Sequence, residues 1–333
     1  MQNFQKKQIQ KEIPTMKRIV SLLIALLLVV TALAACNKKD NDGATTPNTT
    51  TPNNTPVEKT YTLAIAVDSA VSAKNKVSNT ALVLVLDAAG KIAAARFDCS
   101  EVTPELNDDG SVKTVDSVAT KVEQGDAYTG MPAGSWANQT KAFENFLVGK
   151  TPAEVAALDT SAESVKGETP LVAGCTMTSS VPAFQALVAK AAASTQKVTF
   201  KTSEAITVGV AISTAVTAKK VTADFAGIVM AGGKVVASMI DSCEQSFTVA
   251  EGAITFGTVA VSKNEQGDAY SGMPAGPWYK QAQAFANSAV GKTAAELENL
   301  ETVSDALAAA GCTMKNTTAG YKATIIKAAG NAR

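Results

Sequence analysis

The pattern of apolar and polar residues predicts strands at the start of each half of the chain. Alternating or short apolar runs of strand length occur in two corresponding sets, at 61–67, 81–87 and 91–97, and again at 207–212, 226–231 and 234–240. A Gly-containing turn joins the last two strands of each set, which is typical of a β-hairpin. Another extended segment is expected at 112–122 and at 254–261.

The pattern then changes to a helical period. Helices are predicted at 136–148 and 181–193 in the first half, with counterparts that start at Trp278 and Thr318. Thr151 and Thr293 each precede a glutamate by three residues, a capping box that begins a further helix. Strands followed by helices indicate an α+β fold.

A nearly exact repeat gives the predicted organisation. The stretch 123–136 reappears at 265–278 with only two residues changed. We therefore predict two tandem copies of a small module, an antiparallel sheet with a β-hairpin followed by helices, at 59–196 and 197–333. These two ranges are called the first half and the second half below.

The N-terminal segment has the features of a bacterial lipoprotein signal. Lys17 and Arg18 precede a long apolar run, and Leu33-Ala34-Ala35-Cys36 matches a lipobox. Residues 1–35 are predicted to be cleaved, with Cys36 acylated and anchored in the membrane. The alternative is an uncleaved membrane helix. Residues 36–58, rich in Thr, Asn and Pro, form a flexible linker, which places the modules on the extracytoplasmic face of the cell membrane.

Composition excludes several classes of function. The sequence has no histidine, which excludes His-based acid–base catalysis, His-containing triads and His-containing metal sites. Acidic and basic residues balance at 30 each, so we expect no nucleic-acid partner. No metal site is predicted, and an enzymatic activity is less expected than a non-enzymatic role.

Four cysteines remain beyond Cys36, two in each half. In an exported protein they predict disulfides Cys99–Cys175 and Cys243–Cys312. A second interpretation is a reactive thiolate at Cys175 and Cys312, because each lies just before a predicted helix. A third is a metal centre made of the four thiolates, although no CxxC spacing is present.

The repeated loop is a candidate pocket. Its carboxylates, phenol, thioether and indole would suit a planar ligand or a cation, and Lys121 and Lys263 lie close by. The residues are Glu123, Asp126, Tyr128, Met131 and Trp136, with their counterparts Glu265, Asp268, Tyr270, Met273 and Trp278. The alternative is structural, since the glycines and proline impose a demanding backbone path and the tryptophan fills the core.

The hairpin with its Gly-Lys-Ile turn and the segment 174–179, which precedes an Ala-rich helix, resemble the bacterial FMN-binding domain of extracytoplasmic electron-transfer proteins. That resemblance implies covalent FMN on Thr176 and Thr313, with Cys175 and Cys312 beside it and a redox partner in the cell envelope. This chain departs from the family pattern, because those cysteines replace an alanine. The module also resembles a group of exported Firmicutes-type lipoproteins with a Gly-Asp-Tyr-Gly-Met loop, for which no function is implied.

Two functions therefore remain open. One is a lipid-anchored, FMN-binding electron-transfer protein. The other is a non-catalytic surface binding or structural lipoprotein that holds no cofactor.

Overall fold

Two antiparallel sheets pack face to face between two sets of helices in the computed structural model, which describes residues 57–333 except 129, 130, 132, 271, 272 and 274. The predicted signal peptide, Cys36 and almost all of the linker lie outside these residues. The strands are β1 (Lys59–Val71), β2 (Val77–Asp87), β3 (Ile92–Val102), β4 (Val115–Val118), β5 (Val198–Thr202), β6 (Ile206–Val216), β7 (Lys220–Ala231), β8 (Lys234–Ala250) and β9 (Ala253–Phe256).

The helices follow the strands in both halves. Those of the first half are α1 (Lys121–Gln124), α2 (Trp136–Leu147), α3 (Pro152–Ala156), α4 (Ala162–Lys166) and α5 (Ser180–Ala193). Those of the second half are α6 (Lys263–Gln266), α7 (Trp278–Asn287), α8 (Asp305–Ala309) and α9 (Thr318–Gly330). Short 3-10 helices cover Gly125–Ala127, Gly267–Ala269 and Glu296–Asn299. The predicted α+β class with antiparallel sheets is confirmed.

Each sheet is built around a predicted hairpin. The first has the order β3-β2-β1-β5 and the second the order β4-β6-β7-β8-β9. The hairpins are β2–β3 and β7–β8, and all strand pairs are antiparallel. The capping box predicted at Thr151 is present at the start of α3, where its hydroxyl accepts from Glu154 N at 3.2 Å.

Two short strands connect the halves. β4, from the first half, pairs with β6 of the second sheet, and β5, from beyond the predicted boundary at 196/197, pairs with β1 of the first sheet. The extended segments predicted at 112–122 and 254–261 are shorter than expected, because the chain turns into α1 at Lys121 and leaves β9 at Phe256. The described residues form one compact unit.

Strand alternation gives each sheet two buried faces. Leu63, Ile65 and Val67 of β1 join an apolar cluster between the sheets, whereas Ala64 and Ala66 join a cluster beneath the helices of the first half. β6, β7 and the helices of the second half make the equivalent outer cluster. Both faces exclude water, because successive side chains of a strand point to opposite sides. The order of layers is therefore helices, sheet, sheet, helices.

Two glycines allow close packing. A Cβ on Gly227 would lie 2.7 Å from Val83 Cγ2 of the other sheet, and a Cβ on Gly209 would lie 1.9 Å from the backbone oxygen of Ala328 in α9. Neither position has room for a side chain without a shift of its neighbours. None of the helices in the described part of the chain is long and apolar enough to cross a membrane.

Candidate functional site

A partly buried lysine lies beside the repeated loop of the first half. Lys121 begins α1, and its side chain is only 12% exposed. Its Nζ lies 2.9 Å from Glu101 Oε1, 5.0 Å from the centroid of the Tyr128 ring and 5.6 Å from that of Trp136. The ammonium is therefore held by one carboxylate and by cation–π attraction to two rings.

The second half repeats this cage with the same geometry. Lys263 Nζ lies 3.1 Å from Glu244, 5.0 Å from the Tyr270 ring and 5.4 Å from the Trp278 ring. Its side chain is 6% exposed. Burial lowers the pKa of Lys263, but Tyr321 and Glu244 raise it by more, so the net shift is upward. The lysine stays a cation and is unsuited to act as a general base.

The repeated glutamates bind lysines of the opposite half. Glu123 Oε1 lies 2.8 Å from Lys327 Nζ of α9, and Glu265 Oε2 lies 2.8 Å from Lys190 Nζ of α5. The same lysines donate to backbone oxygens, Lys327 to Ile212 and Lys190 to Val67. The two pairs are reciprocal, so the repeat of these glutamates has a structural cause.

The remaining loop residues are engaged within their own half. Asn138 of α2 donates to Asp126 at 3.3 Å, and Tyr279 of α7 donates to Asp268 at 3.2 Å. Trp136 and Trp278 are buried in the outer clusters, against which the partly buried Met131 and Met273 pack. The structure thus brings the predicted pocket residues together in each half. In each half the tyrosine and the tryptophan lie beside a lysine, and the tryptophan fills the core.

Two buried glutamines that the sequence analysis missed join the repeated motifs. Gln139 Nε2 donates to Gly134 O at 2.9 Å, and its Oε1 accepts from Thr176 N at 2.8 Å and from Thr176 Oγ1 at 3.2 Å. Gln281 makes the same three bonds to Gly276 and Thr313. The repeat in the sequence could have identified these glutamines, because a glutamine follows each of the two tryptophans by three residues.

This arrangement is a poor fit for covalent FMN. The hydroxyls of Thr176 and Thr313 are partly buried, and each donates to a buried amide oxygen. A phosphoester would remove the donated proton, so the amide oxygen would keep only its bond from the backbone N–H of the same threonine. Thr176 also lies several residues before α5, whose N-cap, Ser179, makes no capping bond through its side chain.

The predicted disulfides are wrong. Cys99, Cys175, Cys243 and Cys312 are all free and buried. Asp98 and Asp241 occupy equivalent positions, because each accepts a hydrogen bond from a backbone N–H of the short helix that follows. Cys99 follows Asp98 by one residue, whereas Cys243 follows Asp241 by two. Since neighbouring strand residues face opposite ways, Cys243 lies between the sheets while Cys312 lies beneath the helices.

The predicted reactive thiolates are also wrong. Burial raises the pKa of the thiols of Cys175 and Cys312 above the ordinary value. It raises the pKa of Cys243 to about 11. Apolar surroundings favour the neutral thiol, so these cysteines are packing residues. Within the described residues, no group of three or more Cys, Asp or Glu side chains is arranged to hold a metal ion.

Buried aspartates cap the short helices beside the cage. Asp98 Oδ1 accepts from Cys99 N at 2.7 Å and from Val122 N at 3.2 Å, and Asp241 Oδ1 accepts from Ser242 N at 2.8 Å and from Asn264 N at 3.0 Å. Burial raises the pKa of both carboxyls to about 6 despite these bonds. No role for these aspartates was predicted from the sequence.

Comparisons with known proteins found no match to a family model, to a curated protein or to a solved structure.

Proposed function

We propose that this protein is a non-catalytic, lipid-anchored surface protein of two tandem modules folded against each other, with no covalent cofactor. The observation that carries the proposal is the reciprocal pairing of Glu123 with Lys327 and of Glu265 with Lys190. It accounts for the repeat of Glu123 and Glu265 by contacts between the two halves.

Further contacts between the halves support the same conclusion. Buried Glu144 of the first half accepts from Phe97 N at 2.8 Å and lies 2.8 Å from the guanidinium of Arg333 in the second half. Ser100 and Thr214 are hydrogen-bonded across the sheet interface at 2.6 Å. With β4 and β5 pairing across the halves, these contacts favour two modules that work as one body.

The experiment is the intact mass and absorption spectrum of the mature protein, produced together with a flavin transferase. We expect the mass of the acylated chain that begins at Cys36 and no flavin absorption, because the Thr176 and Thr313 hydroxyls are engaged. An added FMN mass on either threonine would overturn the cofactor-free proposal in favour of the electron-transfer alternative.

The anchor is tested separately. Cys36→Ala should move the protein from the membrane fraction to the soluble fraction, because one thiol carries the acyl chains. Cys99→Ala serves as the control and should stay with the membrane. Equal membrane association of both variants, with no acyl-chain mass on Cys36 of the wild type, would contradict lipidation at Cys36.

A further inference from the structure

A cavity lies beside the lysine cage of the second half. Its volume is about 270 Å³, which is just below the range of roughly 300–1,000 Å³ usual for small-molecule pockets. Its walls come from β8, from the extended segment 257–261 and from the start of the repeated loop. Its polar lining side chains include those of Glu244, Ser246, Lys263 and Tyr270.

The two halves differ at this place. In the first half, the strand that precedes the cage is β4, which is hydrogen-bonded to β6 of the other sheet. In the second half, the corresponding segment 257–261 is not a strand, and Gln245 holds it to β8. Gln245 accepts from Ala260 N at 2.8 Å and donates to Thr258 O at 3.2 Å. The cavity lies beneath this segment.

The tyrosines of the two cages also differ. Tyr128 donates its hydroxyl to Glu101 Oε2 at 3.2 Å. Among the described residues, no equivalent bond joins the Tyr270 hydroxyl to Glu244. The side chains of Tyr270 and Glu244 both line the cavity. Lys220 and Lys263 pair with Oε1 of Glu244, at 3.0 Å and 3.1 Å, which leaves Oε2 without a described partner.

The cavity therefore offers a mixed set of polar groups. Glu244 Oε2 can only accept, the hydroxyls of Tyr270 and Ser246 can donate and accept, and the backbone of 257–261 adds further polar groups. A ligand hydroxyl both donates and accepts, so it complements this set. The nearby ammonium of Lys263 already contacts two rings and Glu244, a carboxylate that it shares with Lys220, so it has partners without an anionic ligand.

We propose that this cavity binds a neutral polyhydroxylated molecule of monosaccharide size, one of whose hydroxyls donates to Glu244 Oε2 and accepts from Tyr270. The inference deepens the proposed function by naming a ligand class. It rests on the non-catalytic role proposed above but not on the lipid anchor.

Isothermal titration calorimetry of the full-length protein tests the proposal, with D-glucose, D-galactose, N-acetylglucosamine and sodium lactate as probes. We expect saturable heat with at least one of the three sugars and none with lactate. Hydrogen exchange should then slow in segment 257–263. Tyr270→Phe keeps the ring over Lys263, so the variant should fold. It should weaken sugar binding about fivefold, because one neutral hydrogen bond is lost.

Tyr128→Phe is the matched control from the first half and should leave sugar affinity unchanged. The proposal is overturned if none of the three sugars binds, if lactate alone binds, or if Tyr270→Phe and Tyr128→Phe bind equally. These outcomes are distinct from a failure of the proposed function, which appears as FMN mass or flavin absorption.

Discussion

Asp241 is a fully buried carboxyl group whose protonation is linked to folding. Its pKa is about 6 in the folded protein and 3.8 as the ordinary value. When the pKa of an acid is higher in the folded protein than in the unfolded chain, protonation stabilises the fold. This stabilisation is complete at pH values below the unfolded pKa, and it is lost as the pH rises through the folded pKa. The linkage amounts to about 3 kcal/mol between those limits.

Asp241→Asn should therefore flatten the dependence of stability on pH. The amide oxygen can still accept from Ser242 N and Asn264 N, while the buried charge is removed. We expect the variant to gain stability relative to the wild type between about pH 4 and about pH 7, measured by urea unfolding. The exposed Asp126→Asn is the control, and an unchanged pH slope in Asp241→Asn would contradict the assignment.

A substitution of the buried Gln281 should lower the stability of the protein. Gln281→Leu would leave Thr313 N and Gly276 O without their partners, so we expect a loss of about 2 kcal/mol in the free energy of unfolding. Gln139→Leu removes the equivalent bonds and should cost a similar amount. Guanidinium unfolding of both variants checks this, and two near-neutral substitutions would show that water replaces the amide.

At the scale of elements, the packing of β6 against α9 leaves no space at Gly209. Gly209→Ala would place its Cβ 1.9 Å from a backbone oxygen of α9, and we expect a loss of about 3 kcal/mol from overpacking. Gly330→Ala, whose Cβ would contact nothing within 4 Å, should change stability little. Thermal unfolding compares the two, and equal midpoints would contradict the close contact.

The elements also show how much the sequence could predict. The hairpins β2–β3 and β7–β8 and the helices α2 and α5 follow from local periodicity and Gly-containing turns, and they appear where predicted. The pairing of β4 with β6 depends on contacts between distant residues, for which the local pattern carries no signal. That Cys99 and Cys243 lie on different faces of their sheets could have been predicted. Cys243 is shifted by one residue relative to Cys99, and such a shift moves a strand side chain to the other face.

The partners of the candidate pocket residues could not be predicted from the sequence. Glu123 and Tyr128 were expected to face a ligand, yet they contact Lys327 and Lys121. Lys327 lies in α9 of the other half, so no spacing near Glu123 indicates the pair. The cavity beside Tyr270 depends on the path of segment 257–261, which was predicted to be a strand.

At the scale of the whole molecule, the four buried thiols are reporters of unfolding. Because they occupy clusters above, between and below the sheets, all of them should become reactive in one cooperative transition. Thiol titration should find slow reaction in the native protein and four thiols besides Cys36 after unfolding in denaturant. Fast reaction of one pair before the other would show that the halves unfold separately.

The reciprocal pairs have a consequence for how such a chain can change during evolution. Each pair takes one residue from each half, so a substitution at Glu265 alters its contact with Lys190, and one at Glu123 alters its contact with Lys327. The two halves are therefore expected to covary. A hybrid that joins the first half of one such protein to the second half of a divergent relative should assemble poorly, even when each parent is stable.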